Sequence, residues 1–196
     1  FENAVKEMRE KLGAYAFPIC IPIGKEDHLQ GVIDVVNQKA LIYDPDVEWG
    51  EKLDVQDIPD DLKDQAAMAL EELIDAVSNK DEEIAELVIE EKLVTTEILK
   101  KAIRRLTINI DMVPFLGGSA FKNRGVQPLI DAVVDYLPSP LDVPAATGME
   151  VDTENEVRVH SDDNGKFCSL AFKLATDPFV GKLVFFRVYS GQLKKG

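Results

Sequence analysis

Residues 111–120 have the sequence Asp-Met-Val-Pro-Phe-Leu-Gly-Gly-Ser-Ala, in which an apolar run passes directly into a glycine-rich loop. We predict a strand from Asp111 to Leu116 and a helix from Val126 to Leu137. Four apolar side chains of this helix are predicted to face a core: Leu129, Ile130, Val133 and Val134. Strand, loop and helix in this order are typical of an α/β domain. Taken alone, the loop is best explained as an ordinary turn, and the alternative is that its free backbone N–H groups point at a ligand acceptor.

The residues before this stretch predict one helix and three strands. Apolar residues at helical spacing predict a short helix that ends at Gly13, and they are Ala4, Val5, Met8 and Leu12. The run 17–23 contains two prolines, which lack the ladder donor, so it is predicted to be a strand near a sheet edge. The runs 32–36 and 39–43 are rich in β-branched and aromatic residues and predict a hairpin that turns at Asn37-Gln38.

Residues 60–107 predict three packed helices beside this hairpin. The first opens at Pro59, the second is predicted to be capped by Asn79, and the third by Thr95 or Thr96. Their predicted inner faces are Leu62, Ala66, Leu70, Leu73 and Val77 in the first helix, Ile84, Leu87 and Val88 in the second, and Leu99, Ala102, Ile103 and Leu106 in the third.

The sequence pattern changes after residue 137. Three prolines between residues 138 and 144 interrupt any regular element and predict a stiff linker. Two strand-like runs, 167–174 and 183–189, follow without a helical pattern between them. We therefore expect a β domain to begin in this part of the chain.

The net charge of −14 is concentrated in one segment. Residues 44–100 contain 19 Asp and Glu against 5 Lys and Arg, which accounts for the whole imbalance. A strongly acidic surface repels a phosphate backbone, so direct sequence-specific nucleic-acid binding is not predicted for this segment. The remaining interpretations are a docking surface for a basic protein patch and acidic side chains that only solvate helix faces.

Several kinds of chemistry are excluded by the motifs that the chain lacks. His28 and His160 lie in hydrophilic loops without metal-ligand spacing, so neither a metal site nor a histidine-based triad is predicted. A phosphate-binding P-loop needs Gly-x4-Gly-Lys-Ser/Thr, whereas the three Gly-Lys pairs are followed by Glu26, Phe167 and Leu183. The chain therefore carries no P-loop.

The cysteines and the hydropathy indicate the setting of the protein. Cys20 and Cys168 each lie in an apolar strand-like run, where a buried free thiol in a reducing, cytoplasmic compartment is predicted. No apolar run approaches 18 residues, which excludes a membrane-spanning helix at the level of sequence.

Two short strings imitate GTPase motifs. Residues 79–82 (Asn-Lys-Asp-Glu) approach the guanine-reading Asn-Lys-x-Asp motif but end in Glu and lie between helices, so helix capping is the preferred interpretation. Residues 162–165 (Asp-Asp-Asn-Gly) match the Asp-x-x-Gly of a switch but lie in a polar stretch, and they are predicted to form a turn.

A longer string around the glycine-rich loop carries a resemblance. Residues 117–127 (Gly-Gly-Ser-Ala-Phe-Lys-Asn-Arg-Gly-Val-Gln), followed by Leu-Pro-Ser-Pro-Leu at 137–141, closely resemble the last guanine-recognition motif and exit helix of elongation factor G, a translational GTPase. Other strings extend the resemblance over essentially the whole chain: Pro-Ile-Gly at 22–24 and Gly-Val-Ile-Asp at 31–34 resemble the entry to the insert of that family, and Asp-Pro-Phe-Val-Gly at 177–181 and Phe-Arg-Val-Tyr-Ser-Gly at 186–191 resemble the start of its second domain.

The resemblance implies a fold and a division of the chain. The fold implied is α/β: a partial P-loop-type G domain with an α+β insert (hairpin plus three helices), followed by the first strands of a β-barrel domain. The segments implied are 1–24 and 108–137 in the G domain, the latter with the guanine-recognition loop, 25–107 in the acidic insert, 138–150 as linker and 151–196 as the start of the barrel. The chain would then be an internal piece whose P-loop, switches and true Asn-Lys-x-Asp motif lie elsewhere.

The resemblance also implies roles for particular residues. Ser119, Ala120 and Phe121 would read the O6 atom of guanine, which distinguishes GTP and GDP from adenine nucleotides. GTP or GDP and Mg²⁺ would be cofactors of the parent protein, and none is expected in this piece. The parent would use GTP hydrolysis to drive translocation of tRNA and mRNA on the ribosome, and this piece would not hydrolyse GTP itself.

The implied partners are the ribosome and, for the acidic insert, the C-terminal domain of the ribosomal stalk protein. The carboxylates proposed for stalk contact share a predicted helix: Asp64, Glu71, Glu72 and Asp75. Two alternatives stay open. One is an acidic interaction module that needs no nucleotide. The other is a paralogous ribosomal GTPase that acts in recycling, in an organelle or in peptide release.

Overall fold

The computed structural model describes residues 1–44, 47, 52–151 and 153–195. The chain divides into two compact units, Phe1–Leu137 and Pro138–Gly196. The boundary lies at the start of the proline-rich stretch. The first unit contains every helix of the described chain and a mixed sheet, and the second contains only paired strands. The fold is therefore mixed α/β in the first unit.

A five-stranded sheet forms the centre of the first unit. Its strands are β1 (Ala16–Ile23), β2 (Gly31–Asp34), β3 (Lys39–Tyr43), β4 (Leu53–Gln56) and β5 (Val113–Leu116), in the spatial order β4-β3-β2-β1-β5. β1 and β5 are parallel, and the other neighbours are antiparallel. The segments predicted as G domain and as insert thus contribute to one continuous sheet.

β1 lies near an edge of the sheet, as predicted, one strand in from the edge strand β5. This strand lies inside the sheet, between β2 and β5. Its pairing with β5 is irregular between Pro18 and Cys20. Proline lacks a ladder donor, so an interruption of the ladder at Pro18 allows it to occupy an interior strand.

The hairpin is confirmed, but its turn is longer than predicted. β2 ends at Asp34, whose carboxylate accepts hydrogen bonds from the Asn37 backbone N–H at 2.8 Å and from Asn37 Nδ2 at 2.6 Å. Gln38 adopts a positive φ of 51°. This side-chain to backbone bonding replaces the last residues of the predicted strand with a four-residue turn. β4 was not predicted, because a short strand whose side chains are mostly exposed has no distinctive pattern.

A helical layer covers one face of the sheet. The helices of this layer are α2 (Lys63–Ser78), α3 (Glu82–Ile89) and α4 (Thr96–Ile108). The predicted inner residues of α4 are all buried: Leu99, Ala102, Ile103 and Leu106. They share one apolar cluster with Leu73 and Val77 of α2 and with Ile19 and Ile33 of the sheet. The stripes predicted for α2 and α4 are thus confirmed. In α3, Ile84 is buried and Leu87 is half-buried, but Val88, which was predicted to face inward, is 43% exposed, so that part of the prediction is wrong.

The cap of α3 is Asp81, and the prediction that Asn79 caps this helix is wrong. The Asp81 carboxylate accepts a hydrogen bond from the Ile84 N–H at 3.2 Å, whereas Asn79 Nδ2 donates to the Asp75 carbonyl at the end of α2. Asp81 is only 8% exposed and is charge-compensated by Arg105, whose Nε and Nη2 lie 3.0 and 2.9 Å from its two oxygens. Thr95 caps α4 as predicted.

The inner face predicted for helix α5 (Val126–Tyr136) is wrong. Ile130 is 58% exposed and Val134 is 73% exposed, and Leu129 and Val133 are exposed as well. The face that packs inward carries Pro128, Ala132 and Tyr136, spaced four residues apart. α5 therefore has two apolar stripes, and helical periodicity alone does not say which of them meets the core.

The first helix and the second unit complete the fold. Helix α1 (Glu2–Leu12) ends at Gly13 as predicted, and Gly13 adopts a φ of 62°. Residues 138–195 contain two antiparallel strand pairs: β6 (Ala146–Met149) with β7 (Glu156–Val159), and β8 (Cys168–Asp177) with β9 (Gly181–Ser190). β6 falls within the predicted linker 138–150, because the prolines end at residue 144 and leave residues 146–149 free to pair. The predicted strands at 167–174 and 183–189 are confirmed in the β8–β9 hairpin.

No helix in the described part of the chain is both long and apolar enough to cross a lipid bilayer.

Candidate functional site

The predicted loop lies at the end of the parallel strand pair. β1 and β5 run in the same direction, and Gly117 directly follows β5. Ligands of α/β domains commonly bind outside the carboxyl ends of parallel strands. An open cleft of about 800 Å³ lies at this end of the sheet, which we call the strand-end cleft. Its lining includes Gly24 and Lys25 after β1, Gly118 and Ser119 after β5, and Phe1.

Residues 119–124 form a closed turn, which we call the 119–124 loop. Ser119 and Arg124 form an antiparallel bridge in which the Ser119 N–H donates to the Arg124 carbonyl at 2.8 Å and the Arg124 N–H donates to the Ser119 carbonyl at 3.0 Å. Inside the loop, the Lys122 N–H donates to Ser119 Oγ at 3.3 Å and the Asn123 N–H donates to the Ala120 carbonyl at 3.1 Å. The loop is therefore closed by hydrogen bonds among its own residues.

Two glycines allow the loop to close. A Cβ at Gly118 would lie 2.6 Å from the Arg124 carbonyl oxygen and 3.2 Å from Gly125 Cα. Gly125 adopts a φ of 87°, which residues with a Cβ rarely adopt, and it directly precedes α5. Side chains at these positions would force the two ends of the loop apart.

The closed loop leaves two backbone donors at its tip. Among the described residues, the N–H groups of Ala120 and Phe121 find no acceptor within hydrogen-bond distance. Ala120 is exposed, and the Phe121 side chain is 88% exposed. The sequence singled out Ser119, Ala120 and Phe121 together. Because the Ser119 N–H is already bonded to Arg124, the geometry presents Ala120 and Phe121 as the donors available to a ligand.

Two basic side chains of the loop form hydrogen bonds with the segment that follows β1. Lys122 Nζ donates to the Glu26 carbonyl and pairs with the Asp27 carboxylate, both at 3.1 Å. Arg124 Nη1 donates to the Leu29 carbonyl. Both contacts span about 95 positions of the chain. No sequence pattern indicated them, because each basic residue looks like an ordinary exposed side chain in its local context.

The far end of the loop is held by a buried tyrosine of β3. Tyr43 Oη accepts a hydrogen bond from the Gly125 N–H at 2.7 Å and donates one to Gln127 Oε1 at 2.9 Å. Tyr43 is 2% exposed, and its burial raises the pKa of the phenol above the ordinary value of 10.0. The hydroxyl therefore keeps its proton near neutral pH and fills both of its hydrogen-bonding roles.

The proposed docking carboxylates lie on another element. Asp64, Glu71, Glu72 and Asp75 are all exposed on α2, and we call them the α2 acidic stripe. Within the described chain, none of the four pairs with Lys or Arg, and no hydrogen bond joins them to the 119–124 loop. The stripe is an exposed patch of negative charge on the helical layer.

The remaining reactive residues form no second centre. The histidines are exposed, and no group of three His, Cys, Asp or Glu in the described residues could hold a metal ion.

Cys20 is buried, as predicted, and its burial raises the thiol pKa to about 12, so it stays a protonated, unreactive thiol. Cys168 is half-buried. The Asp162 carboxylate accepts from the Asn164 N–H at 2.9 Å within a turn, as predicted.

No protein-family model matches the chain. Among solved structures, it is similar to the crystal structure of a protein from Thermus thermophilus, with 25% sequence identity and a TM-score of 0.71. The match covers 98% of this chain and 26% of that protein, so this chain spans about a quarter of its length. The mixed α/β architecture described above is thus shared with a segment of a considerably longer protein.

Proposed function

We propose that this chain is part of a guanine-nucleotide-binding translation factor similar to elongation factor G, in which the 119–124 loop recognises the guanine base. The observation that carries the proposal is the pair of N–H donors at Ala120 and Phe121, beside the strand-end cleft. Backbone donors in this position suit a ligand that offers a single hydrogen-bond acceptor. The resemblance of residues 117–127 to the guanine-recognition motif of that family supports the same assignment.

The two donors favour guanine over adenine for a simple reason. Guanine carries an acceptor, O6, at the position where adenine carries an N6 amino donor. If adenine bound, its N6 amino group would face the two backbone N–H groups, and none of these three donor groups would have an acceptor. Each unsatisfied buried donor costs about 1–3 kcal/mol. A backbone that presents only donors therefore selects the base without any charged side chain.

In this proposal the phosphates and Mg²⁺ are bound elsewhere in a longer protein. The chain has no P-loop, so it supplies base recognition and a protein-docking surface, and it does not hydrolyse GTP itself. The longer protein would couple GTP hydrolysis to movement of tRNA and mRNA on the ribosome, in the cytoplasm.

A series of nucleotide analogues tests the base assignment. In the longer protein that contains this chain, we expect IDP, which keeps O6 but lacks the 2-amino group, to displace a fluorescent GDP. The diphosphate of 2-aminopurine riboside, which lacks O6, is expected to bind about 10- to 100-fold more weakly than IDP, because both loop donors then lose their acceptor, a cost of about 1.4–2.7 kcal/mol. Dissociation constants measured by fluorescence competition give the comparison.

ADP is the control for the amino group, and it should bind at least as weakly as the 2-aminopurine nucleotide. If the 2-aminopurine nucleotide binds as well as IDP, the 119–124 loop does not read O6, and the proposed base recognition is wrong.

A second candidate function is supported by the α2 acidic stripe. Four exposed carboxylates without basic partners on one helix are suited to a partner with a basic surface, as in an acidic interaction module. Within the translation-factor proposal, this partner would be the C-terminal domain of the ribosomal stalk protein. The two functions are compatible, because the stripe and the loop lie on different elements.

Charge reversal tests the docking role. The double substitution Glu71→Lys and Asp75→Lys is expected to weaken binding of the stalk C-terminal domain about tenfold at physiological ionic strength, with a smaller effect in about 1 M salt. Titration calorimetry with the longer protein measures this. The control is Glu86→Lys with Glu97→Lys, which changes the net charge equally on α3 and α4, where both residues are exposed. Equal weakening by both pairs would remove the α2 acidic stripe as the contact.

A further inference from the structure

We propose that Tyr43 is a positioning residue for the 119–124 loop, and that its hydroxyl sets the strength of guanine discrimination. This inference rests on the proposed function and deepens it. Tyr43 lies at the end of β3, 82 positions before Gly125, yet its Oη accepts the Gly125 N–H at 2.7 Å. It thereby ties the central sheet to the point where the loop passes into α5.

The hydroxyl is placed where no other group satisfies the backbone. Gly125 is buried, and its N–H donates to Tyr43 Oη, outside the turn that closes the loop. α5 has no side-chain cap, and the Gly125 N–H bonds to Tyr43 in place of a local acceptor. Gln127 Oε1, which accepts from the same hydroxyl at 2.9 Å, orients the Tyr43 O–H so that its lone pair faces Gly125.

The contact reaches the base-reading donors through two residues. Gly125 is bonded covalently to Arg124, and the Arg124 carbonyl accepts the Ser119 N–H at 2.8 Å. A shift of Gly125 therefore displaces the acceptor that closes the loop. Opening this bridge would turn the Ala120 and Phe121 N–H groups away from a shared acceptor, because they are the next two residues after Ser119. Tyr43 touches neither the base nor these two donors, so its action is indirect.

The other supports of the loop do not replace this contact. Lys122 bonds to the Glu26 carbonyl and to Asp27, and both partners belong to an exposed one-turn segment, residues 26–28. Asp27 itself is largely exposed, so this pair is screened by solvent. Arg124 Nη1 bonds to the Leu29 carbonyl in a part-buried contact, whereas the hydrogen bond between Gly125 and Tyr43 is buried and is anchored in β3, inside the sheet.

The test is Tyr43→Phe, which keeps the buried ring and removes only the hydroxyl. In the longer protein, GDP is expected to bind about tenfold more weakly, while the diphosphate of 2-aminopurine riboside keeps its affinity because it never used the loop donors. The ratio of the two dissociation constants should therefore fall about tenfold. A general loss of stability would weaken both nucleotides together and leave this ratio unchanged.

The matched control is Tyr15→Phe, which removes a hydroxyl that donates to the Ala76 carbonyl at 3.0 Å, away from the loop. It should leave the ratio unchanged. In this chain without nucleotide, amide hydrogen exchange at Gly125 should become at least about tenfold faster in Tyr43→Phe and stay unchanged in Tyr15→Phe.

The possible outcomes distinguish a failure of the positioning role of Tyr43 from a failure of the proposed base recognition. A wild-type protein that does not prefer GDP to the 2-aminopurine nucleotide overturns the proposed function, and the inference with it. A wild-type protein that discriminates, with an unchanged ratio in Tyr43→Phe or an unchanged exchange rate at Gly125, overturns the positioning role alone. A reduced ratio together with faster exchange, both absent from Tyr15→Phe, supports it.

Discussion

Replacing Ile103 with alanine is expected to lower the free energy of unfolding of residues 1–137 by about 3–4 kcal/mol, within the range known for large-to-small changes in cores. Ile103 is fully buried in α4 and belongs to the cluster between the helical layer and the sheet. Its removal would lose the transfer free energy of the side chain and leave a cavity in a close-packed region. Urea unfolding followed by far-ultraviolet circular dichroism measures this, because every described helix lies in this unit.

The matched control for this substitution is Ile130→Ala in α5. Ile130 has the same side chain on a helix of the same unit but is 58% exposed, so we expect a loss below about 1 kcal/mol. The contrast also tests the observed orientation of α5. Equal losses for the two isoleucines would mean that the face of α5 carrying Ile130 is packed in solution.

Under the proposed base recognition, substituting Gly118 with alanine is expected to weaken GDP binding to the proposed longer protein by about 50- to 100-fold, the equivalent of two lost hydrogen bonds. The new Cβ would lie 2.6 Å from the Arg124 carbonyl oxygen, and rotamer changes cannot relieve this contact because the backbone fixes the positions of both atoms. The Ser119–Arg124 bridge would open, and Ala120 and Phe121 would lose their common orientation. Fluorescence competition with GDP measures the loss.

Gly148→Ala is the control for the chemical change itself. A Cβ at Gly148 would meet no atom within 4 Å, so this variant should bind GDP as the wild type does. If Gly118→Ala also binds normally, the tight approach of the two ends of the loop is not needed for base recognition.

Parts of the fold governed by local periodicity could be predicted from the sequence. The buried stripe of α4, including Leu99 and Ile103, follows from four residues at helical spacing next to a threonine cap. The β2–β3 hairpin and the glycine stop of α1 follow from equally local rules. Each of these features depends on neighbours that are close along the chain.

Features that depend on distant partners could not be predicted. α5 has an apolar stripe on either side, and only its contact with α4 and the sheet selects the side with Tyr136 over the side with Ile130. β1 carries prolines that indicate a position near an edge, but its parallel partner β5, which lies far along the chain and forms the edge itself, could not be identified from the sequence. Asp81 looks like part of an acidic run in the sequence, and only the fold brings Arg105 to it.

The candidate site likewise has features that could be predicted from the sequence and features that could not. The glycines and small residues of the 119–124 loop identified it in the sequence, because only such residues permit the turn. Which N–H groups remain available depends on the bridge between Ser119 and Arg124, and the support from Tyr43 comes from 82 positions away. The residue types thus identified the loop in the sequence, whereas hydrogen bonds to distant residues determine which of its N–H groups are available to a ligand.

The shared strand β1 has one more consequence. It pairs on one side with β5, which leads into the 119–124 loop, and on the other with β2, which belongs to residues 25–107. Residues 25–107 are therefore joined to the rest of the unit by strand pairing as well as by their chain connections. A displacement of β2 would be transmitted through the hydrogen bonds of β1 to β5 and to the 119–124 loop that follows it.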